Sequence, residues 1–314
     1  MTNMLYLNQL ENLVILLIDN RERGKKMKKI QLCLLMLFLI VGCSTVTKES
    51  LEDDNDRSDN KVETEEKSEP VNVSVKMSFA GDCTLGNYAG QEYSGSFNAE
   101  YANQGNDSSY FLKNVKSVFE QDDLTIVNLE GPLTSATSHM EKTFAFSGPY
   151  EYANILTNGS VELVSLANNH SEDYFAQGLS DTKNILDENG IGYFGYETSC
   201  VKEINGVKIG FLGYRSMSVS MNNDQGRAQI KAAIEQLKNE SGANAVVVFY
   251  HWGIEREYYA NSDQRELAKF SIDCGADLVV GSHPHVVQGI EEYNGKQIVY
   301  SLGNFCFGGN RNPS

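Results

Sequence analysis

The hydrophobic pattern of the chain changes near residue 73. From there, short apolar runs predict strands at 73–82, 124–130, 161–169, 243–250 and 278–280. Apolar residues at helical spacing predict helices at 109–122, 152–156, 179–188, 227–239 and 263–274. A hairpin is predicted at 201–214, with Asn205 and Gly206 at its turn. Strands that alternate with helices predict a layered α/β fold with helices on both faces of the sheet.

The first 43 residues have the pattern of an export signal. Lysines at 25, 26, 28 and 29 precede the apolar run 30–41, which is short for a membrane span, and Gly42 and Cys43 follow. Residues 40–43 resemble a bacterial lipobox, in which Cys43 becomes the lipidated first residue of the mature protein. The alternative is a signal anchor that keeps its helix, and Met27 is an alternative start. Both forms predict a protein outside the cytoplasmic membrane, and lipidation would anchor it to the outer face.

Residues 44–72 are polar and acidic and have almost no apolar side chains. Such a segment cannot bury enough surface to offset the entropy of ordering, so it is predicted to be a disordered tether for a folded domain at 73–314. The net charge of −16 argues against nucleic acid as a partner, because phosphate binding needs a basic surface. The four cysteines that follow the leader contain no CxxC pair and do not predict a zinc ribbon.

Side chains that can bind metals follow most of the predicted strands. They are Asp82, Asn128, Glu130, Asn169, His170, His251, His283 and His285. Because ligands collect at the carboxyl ends of strands in open α/β sheets, these side chains are expected to converge. Carboxylates, an amide and several imidazoles suit two divalent transition-metal ions with a bridging carboxylate. Taken singly, Asp82 could cap a turn, Asn169 could be a turn residue and His251 could be a buried structural histidine.

Six motifs, in order along the chain, resemble those of one protein family. They are FAGDCTLG, NLEGPLT, LANNHSEDYFAQGLSDT, YHWGIE, GADLVVGSHPHVVQGIE and YSLGNFCF. Over about residues 75–308 the chain resembles the poly-γ-glutamate capsule biosynthesis proteins of the CapA (PgsA) type, in the calcineurin-like metallophosphoesterase superfamily. The resemblance implies sheets flanked by helices in four α/β/β/α layers. Proteins of this kind continue through further strands, so the chain is expected to lack the C-terminal end of that fold.

The resemblance also implies roles for the motif residues. The implied ligands are Asp82 and His285 for a first metal, Glu130 as a bridge, and Asn169, His251 and His283 for a second metal. His170 matches the histidine that donates a proton to the leaving group or steadies the transition state. The superfamily's histidine two residues after the aspartate is Thr84 here, so one ligand of the first metal is missing or supplied by water. Asn128, Glu255 and Asn304 are candidates for supporting the ligands or contacting the substrate.

Two divalent ions at such a site, which the resemblance implies to be Mn, Fe or Zn, would activate a water and polarise a substrate. The function this suggests is a metal-dependent hydrolase or transferase acting on poly-γ-glutamate or another cell-envelope polymer. One alternative is a non-catalytic subunit of a polymer synthesis and export complex, which Thr84 favours. Another alternative is a phosphoesterase acting on esters of the cell envelope.

The charge of poly-γ-glutamate gives a further hint, because a polyanion is bound by basic side chains. The candidates are Arg215, Arg227, Arg256 and Arg265, and the alternative for each is a solvated surface arginine. Trp252, next to one of the predicted ligands, either lines a substrate groove or packs in the core.

Overall fold

Two sheets of six strands form the centre of the fold. The computed structural model describes residues 14–20, 73–91, 93–217 and 220–308. The strands are β1 Val14–Asn20, β2 Val73–Thr84, β3 Asn87–Tyr88, β4 Leu124–Leu129, β5 Phe146–Ser147, β6 Leu163–Ser165, β7 Gly192–Phe194, β8 Cys200–Ile204, β9 Val207–Ser216, β10 Ala245–Trp252, β11 Leu278–Ser282, β12 Ile290–Tyr293, β13 Lys296–Val299 and β14 Asn304–Phe307. The α-helices are α1 Phe97–Asn103, α2 Lys116–Phe119, α3 Ala153–Asn158, α4 Phe175–Glu188, α5 Asp224–Asn239 and α6 Ser262–Asp273, and a 3₁₀-helix at Tyr150–Tyr152 precedes α3.

The central strands of both sheets are parallel. The first sheet has the order β1-β2-β4-β6-β7, and β14 also pairs with β2. Within it β2, β4, β6, β7 and β14 are parallel, whereas β1 is antiparallel to β2. The second sheet has the order β12-β13-β11-β10-β9-β8, and β13, β11, β10 and β9 are parallel. Parallel strands bring the loops at their carboxyl ends to one edge of each sheet.

The side chains of the strands alternate between two cores. In β10, Val247 and Phe249 are buried between the two sheets, whereas Val246 and Val248 pack on the side of α5 and α6. In β4, Ile126 lies between the sheets and its neighbours pack on the side of α1 to α4. The order of layers is therefore helices, sheet, sheet, helices. This confirms the predicted layered, metallophosphoesterase-like α/β fold.

Several elements differ from the sequence prediction. The helix predicted at 109–122 is reduced to α2, because residues 107–115 form successive turns closed by bonds such as that from Val115 N to Leu112 O at 3.0 Å. The apolar stripe is nevertheless buried, since Leu112, Val115 and Phe119 are at most 1% exposed. The helix α1 was not predicted. It begins at Ser96, whose hydroxyl accepts a hydrogen bond from Ala99 N at 3.3 Å.

The N-terminal half of β2 pairs with a strand from the first 26 residues. In this antiparallel ladder Val14 lies opposite Phe79 and Asn20 lies opposite Val73. The sequence pattern predicted no folded element there. The predicted apolar run 30–41, Cys43 and the tether 44–72 lie outside the described residues. Within the described part of the chain, every helix is too short or too polar to cross a membrane.

Candidate metal centre

The predicted ligands come together between the carboxyl edges of the two sheets. The first sheet contributes Asp82 from β2, Asn128 from β4 and Glu130, which directly follows β4. The second sheet contributes His251 from β10 and the His283–His285 loop that follows β11. The loop after β6 contributes Asn169 and His170. Five separate segments of the chain therefore build one polar cluster.

A β-bulge turns Asp82 toward this cluster. Phe79 faces the inter-sheet core and Ala80 faces the helices, yet Cys83 also faces the helices, so the alternation of β2 slips by one residue. The register between β2 and β4 shifts at the same place, between Ala80 and Asp82. Asp82 is fully buried, and its backbone N donates to Gly303 O at 2.8 Å. The bulge thus aims a carboxylate at the site, while Cys83 points away from it.

Glu130 is a buried carboxylate whose two oxygens have no hydrogen-bond partner, which is rare among the described residues. Its nearest polar neighbours are His251 Nε2 at 3.6 Å and His170 Nε2 at 4.0 Å from Oε1. Burial and the nearby charge of Asp82 raise the pKa of Glu130 to about 8. An ionised carboxylate here requires a compensating cation. The residues present therefore fit a bound metal ion.

The imidazole of His285 lies between Asp82 and Asn304. Its Nδ1 is 3.1 Å from Asp82 Oδ2 and 2.8 Å from Asn304 Oδ1. Burial alone would lower the pKa of His285, but the charge of Glu130 and the hydrogen bonds to Asp82 and Asn304 outweigh it and raise that pKa to about 10. Ligand atoms of Asp82, Glu130 and His285 all lie within 4.8 Å of one another, so this trio could hold one ion.

A second group of potential ligands, His251, Asn169 and His283, lies beside Glu130. His251 Nε2 is 2.6 Å from Asn169 Oδ1, and its Nδ1 is 3.0 Å from Ser282 Oγ. The ring of His283 lies 4.8 Å from that of His251, centroid to centroid. Burial lowers the pKa of His283 to about 4 and that of His251 well below its usual range, so both rings are neutral near pH 7. Neutral imidazoles are the form that binds metals.

The backbone of the histidine loop is strained. His283 has φ of 97° and His285 has φ of 57°, in a region that favours glycine. Such conformations cost on the order of 1–3 kcal/mol each and concentrate at functional sites. Here they bring two imidazoles separated by one residue within 5.7 Å of each other, centroid to centroid.

Two asparagines connect the parts of the cluster. Asn128 Nδ2 donates to Asp82 Oδ1 at 2.8 Å, and its Oδ1 accepts from Asn168 Nδ2 at 3.1 Å. Asn168 Oδ1 in turn accepts from His170 N at 3.0 Å. Asn128 thus orients Asp82. Asn168 was not singled out from the sequence, although its place in the ANNH segment beside two predicted site residues was a usable signal.

His170 is held by two side chains that the sequence analysis missed. Its Nδ1 is 2.8 Å from Asp173 Oδ2 and 3.1 Å from Lys142 Nζ, and Lys142 also forms an ion pair with Asp173. Asp173 is fully buried and also accepts from Phe146 N at 2.7 Å. The only sequence signal for Asp173 was an acid three residues after a histidine, whereas Lys142 comes from a segment without motifs. Burial outweighs the attraction of Asp173 and lowers the pKa of His170.

Several residues considered in the sequence analysis have structural contacts. Trp252 is 1% exposed, stacks on Tyr250 at 4.4 Å and donates to Tyr300 O at 2.8 Å, so it packs in the core. The guanidinium of Arg227 bonds Asn222 Oδ1, and that of Arg265 donates to Ala260 O. Arg215, Arg256 and Arg265 are exposed, and Arg215 near the end of β9 is opposite His251 in the β-ladder.

A layered α/β fold with carboxylates, amides and histidines clustered between the carboxyl edges of its sheets defines a metallophosphoesterase-like protein. A family model described as the bacterial capsule synthesis protein PGA_cap matches residues 76–309, and the chain belongs to this family. The family assignment read from the six motifs is confirmed.

Three relatives agree with this assignment. The chain is 32% identical over 250 residues to the PGA biosynthesis protein CapA of Bacillus subtilis (strain 168), covering 74% of this chain and 63% of that protein. It is 30% identical over 261 residues to the capsule biosynthesis protein CapA of Bacillus anthracis, covering 75% of this chain and 60% of that protein. A probable polyglutamine synthesis accessory protein of Mycobacterium tuberculosis (strain ATCC 25618 / H37Rv) is 26% identical over 208 residues, covering 58% of this chain and 55% of that protein. The alignments span less than two thirds of each relative.

Proposed function

We propose that this chain is a lipid-anchored, extracytoplasmic protein of poly-γ-glutamate capsule synthesis, with a dinuclear metal site for hydrolysis of an envelope polymer. The names of its Bacillus relatives support the polymer class. The observation that carries the chemistry is Glu130, a fully buried carboxylate that has no hydrogen-bond partner among the described residues and lies close to Asp82, His285 and His251. A purely structural core would not retain such a group, because an unpaired buried carboxylate is costly.

The proposed roles of the residues are as follows. Asp82, Glu130 and His285 would hold one ion, and Glu130, Asn169, His251 and His283 would hold the other. Such ions lower the pKa of water and polarise an amide or ester group. His170 Nε2 faces the same space, since Nδ1 is occupied by Asp173. From there His170 can give a proton to the leaving group or a hydrogen bond to the developing oxyanion. Asp173 and Lys142 fix its ring orientation.

Metal analysis combined with two substrates tests this proposal. Purified full-length protein is expected to retain about two equivalents of Mn, Fe or Zn and to shorten poly-γ-glutamate or cleave a γ-glutamyl amide. His170→Ala should lower the rate by about 10²–10⁴-fold while leaving the metal content unchanged, because general acid catalysis contributes about that much.

Other outcomes identify the alternatives. Less than about half an equivalent of metal, with no hydrolysis, would support the non-catalytic subunit of a synthesis and export complex, a role that Thr84 favours. Cleavage of bis-p-nitrophenyl phosphate without cleavage of the γ-glutamyl amide would instead support a phosphoesterase of the cell envelope.

The anchor is tested separately by lipid labelling. If Cys43 is the lipidated residue, Cys43→Ala should abolish incorporation of a labelled fatty acid and move the protein out of the membrane fraction. Cys33→Ala is the matched control, since Cys33 lies inside the apolar run, and it should keep the label. Label retained by Cys43→Ala would refute the lipobox. Cleavage before Cys43 would also remove β1 and uncover the edge of β2 at 73–79.

A further inference from the structure

The loop after β10 is fixed against the histidine loop. It runs from Gly253 to Glu257 and contains two residues with positive φ, Gly253 at 84° and Arg256 at 64°. The backbone N of Arg256 donates to Pro284 O at 2.8 Å, and Gln288 Nε2 donates to Glu257 O at 2.7 Å. These two bonds fix Arg256 and Glu257, and the carboxylate of the preceding residue, Glu255, lies beside the His283–His285 loop.

Glu255 forms a second potential metal-binding trio with those histidines. One carboxylate oxygen of Glu255 and one nitrogen each of His283 and His285 lie within 4.8 Å of one another. Ligands bonded to one ion at about 2.0–2.2 Å are up to about 4.4 Å apart, so shifts of a few tenths of an ångström would let Glu255 and His285 bind the same cation. The backbone bond from Arg256 N to Pro284 O and the side-chain bond from Gln288 Nε2 to Glu257 O hold the segment that carries Glu255 in this position.

Two buried polar atoms, one on the histidine loop and one near Asp82 in sequence, have no hydrogen-bond partner among the described residues, which points to a ligand. His283 is 3% exposed, and its Nδ1 has no hydrogen-bond partner among the described residues. Thr84, 1% exposed and two residues after Asp82, has a hydroxyl that likewise has no partner within the described part of the chain. A threonine replaces the imidazole expected at this position, so the ion held by Asp82, Glu130 and His285 lacks one protein ligand.

We propose that Glu255 is a metal ligand that supplies the coordination absent at Thr84, reaching the ion from the open side of the site. The inference rests on the proposed dinuclear function and extends it to a residue of the HWGIE segment. Exchange of an imidazole for a carboxylate adds one negative charge to the ligand set, which favours harder divalent ions such as Mn²⁺ over Zn²⁺.

Metal binding of Glu255→Gln tests the inference. The full-length protein is stripped of metal, and Mn²⁺ binding is measured by calorimetry and by the number of equivalents retained after dialysis. The variant is expected to bind one of the two ions at least tenfold more weakly, and the visible absorption of the Co²⁺-loaded protein should change. Glu257→Gln, two residues away and exposed, should match the wild type in all three measurements.

The possible outcomes separate this inference from the proposed function. If the wild type binds two ions and Glu255→Gln binds both with unchanged affinity and an unchanged Co²⁺ spectrum, Glu255 is not a ligand and the dinuclear site stands. The same conclusion follows if Glu255→Gln keeps both ions but raises KM, since Glu255 then contacts substrate. If the wild type binds no metal, both proposals fail.

Discussion

Replacing Glu130 with glutamine is expected to weaken metal binding strongly and, at the same time, to stabilise the metal-free protein near pH 8. A Glu130 oxygen lies within 4.8 Å of ligand atoms of Asp82 and His285, and Oε1 is 3.6 Å from His251 Nε2, so its loss would affect both of the proposed ions. Glutamine keeps the shape of the side chain but provides no negative charge to offset two dications. We expect the affinity for Mn²⁺ to fall by at least a hundredfold, since even residues that only support metal ligands contribute about 10–100-fold.

The gain in stability follows from the raised pKa of Glu130. In the folded, metal-free protein the carboxyl has a pKa of about 8, against an ordinary value of 4.5. Between these values the folded state binds a proton that the unfolded state has lost, so the free energy of unfolding falls as pH rises. The loss is about 1.4 kcal/mol per pH unit from about pH 4.5 to about pH 8. Glutamine does not titrate, so the variant avoids this loss of stability.

Denaturant unfolding of the metal-free proteins at pH 6 and pH 8 measures this effect. The free energy of unfolding of Glu130→Gln, relative to that of the wild type, should rise by a few kcal/mol from pH 6 to pH 8. The charged residues that act on Glu130 are Asp82, His285, Glu255 and Asp173, and all four side chains are retained in the variant. Glu257→Gln is the control and should follow the wild type. Equal pH dependence of the wild type and Glu130→Gln would show that this carboxyl is not forced into a buried neutral state.

The position of the site followed from one rule about parallel strands. Asp82, Glu130, His251 and the two loop histidines each come directly after an apolar run, and the carboxyl ends of parallel strands share an edge. The rule needs only the ends of the strands, so it was not affected when strand 161–169 shortened to β6. The alternation of side chains along β10 likewise indicates that His251 faces the space between the sheets, because Phe249, two residues earlier, faces the inter-sheet core.

The structural features that could not be predicted from the sequence depend on contacts between distant segments. The alternation of β2 would direct Asp82 toward the helices, and only the bulge, set by the approach of Gly303, reverses it. Lys142 reaches His170 from a segment without regular structure, and no local pattern specifies that contact. Strand β12 has a half-exposed, polar sequence that depends on pairing with β13 for its conformation. Such features arise from tertiary packing, so local propensity does not reveal them.

Gly81→Ala is expected to destabilise the protein strongly and to displace Asp82. A Cβ atom at Gly81 would lie 1.9 Å from Gly303 O and 2.9 Å from Gly303 C, and both obstacles are backbone atoms that no rotamer change can move. The strands β2 and β14 would have to separate, which breaks the 2.8 Å hydrogen bond from Asp82 N to Gly303 O. Overpacking of this kind costs about 1–3 kcal/mol or more. We expect a loss of about 3 kcal/mol in the free energy of unfolding.

Gly289→Ala is the matched control, because a Cβ there has nothing within 4 Å and the backbone is outside the left-handed region. Its free energy of unfolding should stay within about 0.5 kcal/mol of the wild-type value. The affinity for Mn²⁺ distinguishes a general loss of stability from a local effect, since Gly81→Ala should weaken it even under conditions where the protein stays folded. Wild-type stability and wild-type metal affinity in Gly81→Ala would mean that β14 does not hold the bulge, and that Asp82 is aimed at the site by other contacts.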